Sequence, residues 1–342
     1  MFEASTAVPV VWTGFPHVLS ARQFTRALVE ELCRRADAMD RALGNSVEQK
    51  ILRERFLGEL MLALFYEPST RTRTSFEAAG IHLGMGIIST ENALEFSSAI
   101  KGETLEDTIR TVCGYRPRVI AMRHHEAGAA ERAARVSDGV PIVNAGDGNN
   151  EHPTQTLLDL YTIYREIGSF DGLRIVMGGD LANGRTVRSL ATLLAEFEGV
   201  TMAFVSPPQL PMREDVQAHL LEKGIEFQEY DSIPEAFRNL DPHAVYWTRV
   251  QKERFVPAFI ASGVSADDAP RAAEELYLSV RDSFVIGPEE MGLLSPHAIL
   301  MHPLPRNNEI AVAVDGDKRA AYFRQAANGL PVRMALLDWI LE

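Results

Sequence analysis

Cysteine is scarce in this sequence of 342 residues, which contains only Cys33 and Cys113. Neither lies in a C-x-x-C or other metal-ligand spacing, so the sequence argues against a disulfide framework and a structural zinc site. His124, His125 and His302 also lack nearby acids in a ligand pattern, and we predict no metal. The cysteine usage fits a reducing, cytoplasmic compartment.

Long hydrophobic runs and an excess of positive charge are also missing. No run approaches the ~18 apolar residues of a membrane span. The apolar segment 7–12 follows Glu3 without a basic region, so we expect no signal peptide and a loosely ordered extension over residues 1–15. The net charge of −13 argues against nucleic acid or an anionic membrane as the main partner. Arginines clustered in such an acidic protein are therefore informative.

Two common catalytic patterns are absent as well. The sequence has no G-x-S-x-G motif, and no Ser/His/Asp set can be assembled from it. The glycines between Gly178 and Gly184 do not fit G-x-G-x-x-G, so they are only a weak indication of a dinucleotide loop.

The chain is long enough for two cores, and apolar strand-like runs alternate along it with amphipathic helical ones. The predicted strands are 62–65, 86–89, 119–122, 142–143, 173–177, 201–205, 225–229, 244–248 and 298–301. Helices are predicted among the first of them at about 69–83, 103–113 and 127–137. This alternation is typical of parallel sheets covered by helices on both faces, so we predict an α/β fold of two doubly wound domains.

Longer helical patterns divide the chain into these domains. Ser20 and Gln23 form a possible capping box before a helix over about 21–42, and residues 153–167 would form a helix joining the domains. Residues 318–341 are predicted to form one long helix that returns to the first domain. The domains would be 1–151 with 318–342, and 152–317. The acidic segment 267–273, which contains Pro270, is expected to be a mobile surface loop.

The most informative motif is Glu-Pro-Ser-Thr-Arg-Thr-Arg at 67–73, where a predicted strand gives way to a helix. Unpaired N–H groups and the helix dipole favour an anion there, and arginine adds a planar fork that matches phosphate. A capped helix with surface arginines is the alternative. Tandem hydroxyl–arginine pairs are rarer than a cap, so we favour a phosphate site.

Arginine and histidine also follow other predicted strands, and ligands bind at the carboxyl ends of parallel strands. The segments concerned are Arg123-His124-His125, Asn144 to Gln155, Gly178 to Thr186, Thr248 to Arg254 and His302 to Arg306. We therefore expect these strand ends to form the functional site.

These motifs carry a family resemblance. Phe-Tyr-Glu-Pro-Ser-Thr-Arg-Thr-Arg at 65–73 resembles the carbamoyl phosphate signature of the aspartate/ornithine carbamoyltransferases. Four further segments, His152 to Gln155, Gly184 to Thr186, Thr248 to Arg254 and His302 to Pro305, resemble its aspartate branch. They occur in family order over nearly the whole chain. His-Pro-Leu-Pro matters most for the branch, because the ornithine enzymes have cysteine in that motif.

The resemblance implies the roles of individual residues. The first domain would be the carbamoyl phosphate-binding domain and the second the aspartate-binding domain. The ligands of carbamoyl phosphate would be Ser69, Thr70, Arg71, Thr72, Arg123, His152, Gln155, Leu304 and Pro305, and those of aspartate Lys101, Arg185, Arg249 and Gln251. Thr72, Lys101, Arg123 and His152 would be catalytic. Ser97 and Lys101 would reach the site of a neighbouring chain in a homotrimer, Leu304–Pro305 would be cis, and Glu67 would pair with Arg185 and Arg254.

The implied reaction moves the carbamoyl group of carbamoyl phosphate to the α-amine of L-aspartate, which gives N-carbamoyl-L-aspartate and phosphate in de novo pyrimidine biosynthesis. Two substrates that each carry two negative charges must approach to about 3 Å, and arginine and lysine offset their repulsion. The neutral amine attacks directly, so no cofactor is expected.

Two alternatives remain open. Substitutions relative to the allosteric members, such as Ile100 and Asn307-Asn308, leave room for another amino-acid acceptor. A non-catalytic scaffold is the second, although Arg71, Arg123 and His152 are all retained. Sequence patterns do not identify regulatory or dihydroorotase-like partner chains.

Overall fold

The computed structural model of the protein describes residues 17–92 and 102–342. The described residues fall into two compact units, the first made of 17–92, 102–157 and 329–342, the second of 158–328. The domain limits predicted from the sequence, 151 and 318, lie slightly earlier in the chain than these boundaries. The predicted extension over 1–15 lies outside the described residues. No described helix is both long and apolar enough to cross a bilayer.

Helices and strands alternate through both units. The strands are β1 (Leu60–Phe65), β2 (Gly86–Thr90), β3 (Val119–His124), β4 (Ile142–Asp147), β5 (Arg174–Gly178), β6 (Thr201–Val205), β7 (Glu226–Tyr230), β8 (Ala244–Trp247) and β9 (Ile299–Met301). Within the described ranges the α-helices are α1 (Arg26–Leu43), α2 (Ser46–Glu54), α3 (Thr70–His82), α4 (Leu105–Cys113), α5 (Ala129–Val136), α6 (Pro153–Ile167), α7 (Arg185–Leu194), α8 (Glu214–Glu222), α9 (Ile233–Leu240), α10 (Phe255–Ala261), α11 (Ala269–Val280), α12 (Pro288–Met291), α13 (Tyr322–Ala327) and α14 (Gly329–Leu341).

Each unit contains one parallel sheet. The first sheet has the order β2-β1-β3-β4 and the second β7-β6-β5-β8-β9. The central strands are buried along nearly their whole length, as the continuous apolar run of β1 requires when helices cover both faces of a sheet. The predicted fold class is therefore confirmed.

The strand order places a topological switch point in each sheet. From β1 the chain crosses to β2 on one side, and β3 then lies on the other side of β1. In the second sheet the same reversal occurs between β5 and β8. Loops diverge above such a point and leave a crevice at the carboxyl ends of the two strands. These ends carry Glu67 to Thr72 and Arg123 in the first unit, and Gly178 to Arg185 and Thr248 to Gln251 in the second.

The first predicted helix is wrong at its start. Ser20 and Gln23 do form a capping box, but it caps a short 3-10 turn, Ala21–Gln23. The backbone is extended at Phe24, and α1 begins only after Thr25, whose hydroxyl accepts a hydrogen bond from Leu28 N. A second N-cap five residues after the first therefore divides the predicted helix.

The predicted continuous helix over 318–341 is also wrong, because α13 and α14 are separate helices. Three residues in and just after α13 bond to α6: Arg324 to the exposed Glu166, Gln325 to the buried Asp159 and Asn328 to the buried Thr162. These contacts attach α13 and the residue after it to α6. Helix α14 packs against α1 and α3 in the first unit, as the predicted return of the last helix requires.

The segment 267–273 is not a loop. Ser265 accepts a hydrogen bond from Asp268 N and donates one to the Asp268 carboxylate, and Pro270 lies in the first turn of α11. Proline is well tolerated there, because the first N–H groups of a helix have no partner within it. Ala273 is buried against Phe255, which fixes the helix on its neighbour α10.

Candidate active site

The loop after β1 delivers the residues that were predicted to bind phosphate. Ser69 occupies the N-cap position of α3 with φ −157° and ψ 74°, and its side chain caps none of the first N–H groups. Ser69 is half-buried and Thr70 is exposed. The start of α3 therefore combines hydroxyl groups with N–H donors and the positive end of the helix dipole, which together favour an anion.

The two arginines of this motif have different surroundings. Arg73 donates to the carboxylates of Glu77 and Glu91, both at 2.8 Å. Among the described residues Arg71 has no carboxylate partner, and desolvation by the surrounding protein lowers the pKa of its guanidinium. Since Arg73 is neutralised by its own unit, Arg71 is the arginine able to neutralise a ligand.

Thr72 and His152 come together although 80 positions separate them in the sequence. Thr72 lies in the first turn of α3, and His152 directly precedes Pro153, the first residue of α6. Both side chains are buried, with Thr72 Oγ1 and His152 Nε2 3.5 Å apart. Gln155 follows in the first turn of α6 and is half-buried. The structure thus brings together the predicted residues of two distant motifs.

Arg123 lies within a strand and not after it, because β3 extends to His124 and pairs Arg123 with Phe65. Its Nε donates to Glu67 Oε2 at 3.3 Å. The family resemblance had implied Arg185 and Arg254 as the partners of Glu67, and the contact with Arg123 was not anticipated. The contact places the Arg123 guanidinium beside the loop that leads to Ser69.

In the second unit, a buried aspartate joins the loops after β5 and β8. Asp180 accepts hydrogen bonds from the backbone N–H of Asn183 and of Gln251, both at 3.0 Å, and burial raises its pKa. Gly179 has φ +101°, and a Cβ there would lie 2.0 Å from the Thr248 carbonyl oxygen. Asp180 was not among the predicted site residues, because nothing in its local sequence distinguishes it from the residues around it.

The joined loops carry the residues predicted to bind the acceptor. Arg185 is the first residue of α7, next to Gly184 at the N-cap, and Gln251 is half-buried. Arg249 donates to both carboxylate oxygens of Glu253, one of them at 3.0 Å, and this hydrogen bonding raises the pKa of Arg249. In this structure Glu253 occupies these two donors, so a substrate carboxylate has to displace Glu253 to take the same two parallel hydrogen bonds.

The turn after β9 depends on a neutral histidine. His302 Nδ1 accepts a hydrogen bond from Leu304 N at 2.8 Å, so the proton is on Nε2, which lies 2.8 Å from Glu309 Oε1. Burial lowers the pKa of His302. Burial alone would raise the pKa of Glu309, but the interaction with His302 and the hydrogen bonds from backbone N–H groups, such as that of Asn307, together lower it. The Leu304–Pro305 peptide bond is cis, as predicted.

Ser97 and Lys101, which the family resemblance assigns to a neighbouring chain's site, lie outside the described residues.

His124 makes the first unit sensitive to acid. Burial and the neighbouring His125 lower the pKa of His124 to about 4. The unfolded chain takes up this proton below about pH 6.5, so stability is lost as the pH falls from 6.5 towards 4. We expect His124 alone to cost about 2 kcal/mol of unfolding free energy between pH 7 and pH 5.

Urea denaturation at both pH values measures this effect. In His124→Asn, whose side-chain oxygen can replace Nδ1 as acceptor for Glu126 N, most of this pH dependence should disappear. His125→Asn, at an exposed position, should retain most of it. Equal pH dependence in the wild type and His124→Asn would contradict the assignment.

Comparisons with known proteins cover both units. Residues 16–165 match the family model "Aspartate/ornithine carbamoyltransferase, carbamoyl-P binding domain", and residues 171–340 match "Aspartate/ornithine carbamoyltransferase, Asp/Orn binding domain". Aspartate carbamoyltransferase 3, chloroplastic, from Pisum sativum is 50% identical over 95% of this chain and 77% of its own length. The aspartate carbamoyltransferase catalytic subunit of Methanococcoides burtonii is 42% identical over 95% of this chain and 97% of its own.

Solved structures agree with these matches. Aspartate transcarbamoylase from Trypanosoma cruzi in complex with carbamoyl phosphate and aspartate has a TM-score of 0.82 and 39% identity, covering 94% of this chain and 95% of that one. The catalytic subunit of the Methanocaldococcus jannaschii enzyme has a TM-score of 0.81 and 42% identity over 95% and 97% of the two chains. The strand-end residues, the fold and these similarities lead to one conclusion: the chain belongs to the aspartate/ornithine carbamoyltransferase family.

Proposed function

We propose that this protein is an aspartate carbamoyltransferase. It transfers the carbamoyl group of carbamoyl phosphate to the α-amine of L-aspartate, giving N-carbamoyl-L-aspartate and phosphate in de novo pyrimidine biosynthesis. One observation carries this proposal: Arg71 has no carboxylate partner among the described residues, and it lies beside the buried Thr72–His152 pair. Relatives that are named aspartate carbamoyltransferases, at up to 50% identity, support aspartate as the acceptor.

In the first unit the residues around the start of α3 bind the phosphate. Arg71 neutralises the dianion, and the hydroxyl and N–H groups of Ser69 and Thr70 supply further donors. The proposed carbamoyl phosphate ligands are Ser69, Thr70, Arg71, Thr72, Arg123, His152, Gln155, Leu304 and Pro305.

The reaction needs no covalent intermediate with the protein. The neutral amine of aspartate attacks the carbamoyl carbon, and the carbonyl oxygen becomes an oxyanion. Thr72, Arg123 and His152 donate hydrogen bonds to it, each well-placed donor lowering the barrier by roughly 2.7–4 kcal/mol. The C–O bond to phosphate then breaks, and the departing phosphate accepts the proton that the amine loses.

In the second unit Arg185, Arg249 and Gln251 bind the carboxylates of aspartate. The planar fork of Arg249 fits a carboxylate, and the acceptor takes the place that Glu253 occupies in this structure. A side-chain carboxylate on the acceptor can take that geometry, whereas the ammonium group of a diamino acid would be repelled.

We further propose a homotrimer in which Ser97 and Lys101 of each chain serve the site of a neighbour, with Lys101 binding aspartate and assisting the transfer. This proposal rests on the family resemblance of the segment around Lys101. The assignment of 1–151 with 318–342 to carbamoyl phosphate and of 152–317 to aspartate has the same basis. The free thiols Cys33 and Cys113 support a reducing compartment, and we propose the cytoplasm.

Steady-state assays with carbamoyl phosphate and three acceptors test the function. We expect kcat/KM for L-aspartate to exceed that for L-ornithine and for 2,3-diaminopropionate by at least about 10³-fold, because a site built for a charged partner rejects an analogue that leaves it unpaired. Turnover of another amine without turnover of aspartate would reject the acceptor. A folded protein that turns over none of the three would support a scaffold.

A further inference from the structure

Outside the predicted ligand set, the first unit contains a buried carboxylate with an unusually complete set of hydrogen bonds. Asp147 is the last residue of β4 and is 1% exposed. Four N–H donors point at it, two to each oxygen. Oδ1 accepts from Asn144 Nδ2 at 3.0 Å and Glu151 N at 2.9 Å; Oδ2 accepts from Gly128 N at 2.8 Å and Asn150 Nδ2 at 3.0 Å.

These donors come from the loops that follow two neighbouring strands. Gly128 N belongs to the loop after β3, the strand that carries Arg123. Glu151 N belongs to the loop after β4 and directly precedes His152. The carboxylate of Asp147 therefore joins the segment that follows Arg123 to the segment that ends in His152.

Further contacts hold the same loop from other sides. Gly148 N donates to the His124 carbonyl oxygen at 2.9 Å, and Gly148 has φ +54°. The Glu151 side chain accepts a hydrogen bond from the Ser20 hydroxyl at 3.0 Å. The loop thus has little freedom as long as its central acceptor is intact.

We propose that Asp147 is a positioning residue for carbamoyl transfer, whose carboxylate fixes the 147–151 loop and so holds His152 beside Thr72. This inference rests on the proposed function. It follows from the chemistry of the donors: four N–H groups converge on one side chain, and only an acceptor without protons satisfies all of them. A buried donor left unsatisfied costs about 1–3 kcal/mol, so the loop would rearrange if one oxygen were replaced by NH₂.

Asp147→Asn is the direct test, because it keeps the shape and replaces one acceptor by a donor. Whichever way the amide is turned, its NH₂ faces two of the four N–H groups. We expect kcat to fall by about 10- to 100-fold and KM for carbamoyl phosphate to rise, since a displacement of the order of 1 Å at a reacting group costs about 10²-fold. KM for aspartate should change less than about 2-fold. The matched control is Asp138→Asn, the same substitution at an exposed position of the same unit, which should behave as the wild type.

A double-mutant cycle with His152→Ala separates positioning from general destabilisation. If Asp147 acts through His152, Asp147→Asn should cost less than about 3-fold once His152 is absent. A merely structural role would cost the same factor in both backgrounds, and that result would overturn the proposal. So would wild-type kinetics in the single variant.

If Asp147→Asn does not fold, Asn150→Ala replaces it in the cycle. Asn150 is exposed and contributes one of the four donors, so this variant is the milder one. We expect a loss of about 3- to 10-fold in kcat that disappears in the His152→Ala background; an equal loss in both backgrounds overturns the proposal. If the wild-type protein itself shows no carbamoyl transfer, the proposed function is refuted. Failure of the proposed function is therefore distinguishable from failure of the positioning role of Asp147.

Discussion

Replacing Arg71 by alanine is expected to lower kcat/KM for carbamoyl phosphate by about 10²- to 10³-fold, which is the effect of losing one well-placed donor to a developing or bound anion. Among the described residues no carboxylate neutralises Arg71, and desolvation lowers its pKa. Its charge is therefore available to the phosphate dianion at the start of α3. Initial-rate measurements at varied carbamoyl phosphate, with saturating aspartate, give the factor.

Arg73→Ala is the matched control, because it removes the same side chain two positions later in the same helix. Arg73 bonds to Glu77 and Glu91, so its loss should change kcat/KM by no more than about 3-fold. Full transfer by Arg71→Ala, or equal losses in the two variants, would contradict the phosphate site.

The same variant also tests the proposed assembly. Mixing Arg71→Ala chains with Lys101→Ala chains under conditions that exchange subunits should restore part of the activity. If Lys101 serves a neighbour's site, some sites in mixed trimers receive both wild-type residues. Activity that stays at the level of the separate variants, although mixed trimers have formed, would argue that each site is built from one chain.

Replacing Arg249 by methionine is expected to lower kcat/KM for aspartate by about 10²- to 10³-fold, because two charge-assisted hydrogen bonds are lost, each with a net worth of at least about 1.5 kcal/mol. The affinity for carbamoyl phosphate should change little, since Arg249 belongs to the loop after β8. Methionine keeps the length of the side chain and removes only its charge and donors. Saturation curves with aspartate at fixed carbamoyl phosphate measure the loss.

One complication is that Arg249→Met also removes the partner of Glu253. Repeating the substitution in a Glu253→Gln background removes that contribution, and the loss should remain at least about 10²-fold. Arg281→Met is the control for removing an arginine from this unit, because Arg281 pairs with Asp282 at the surface and should be neutral. If Arg249→Met lowers kcat/KM only when Glu253 is present, and not in the Glu253→Gln background, then Arg249 serves the fold and does not bind the acceptor.

Much of the fold follows from local patterns in the sequence. The apolar run of β1 and the helical spacing of α6 are strong signals, and α6 has the predicted limits, Pro153 and Ile167. The division of the C-terminal segment into α13 and α14 could not be predicted in this way. It depends on contacts of Arg324, Gln325 and Asn328 with residues of α6 that are distant in the sequence. Helical periodicity alone does not report such contacts.

The residues of the site also divide into those that local motifs identify and those whose role depends on contacts distant in the sequence. The family resemblance assigns Arg71 and not Arg73 to carbamoyl phosphate. The residue pattern alone does not distinguish the two arginines, because the acids that neutralise Arg73 are ordinary surface residues until the fold places them. Asp147, Asp180 and Glu309 were also missed. Asp147 and Asp180 lie in segments that were expected to form the site, and Glu309 lies outside them, but no role was predicted for any of the three. Their importance comes from N–H groups that converge on each of them in three dimensions.

The turn at Gly179 limits how this protein can be re-engineered. With φ +101° and a carbonyl oxygen 2.0 Å from where a Cβ would be, position 179 admits no side chain at all. A mutant library intended to change the acceptor should therefore keep Gly179 fixed and vary Gln251, which lies on the partner loop and can change its side chain while its backbone N–H keeps bonding to Asp180.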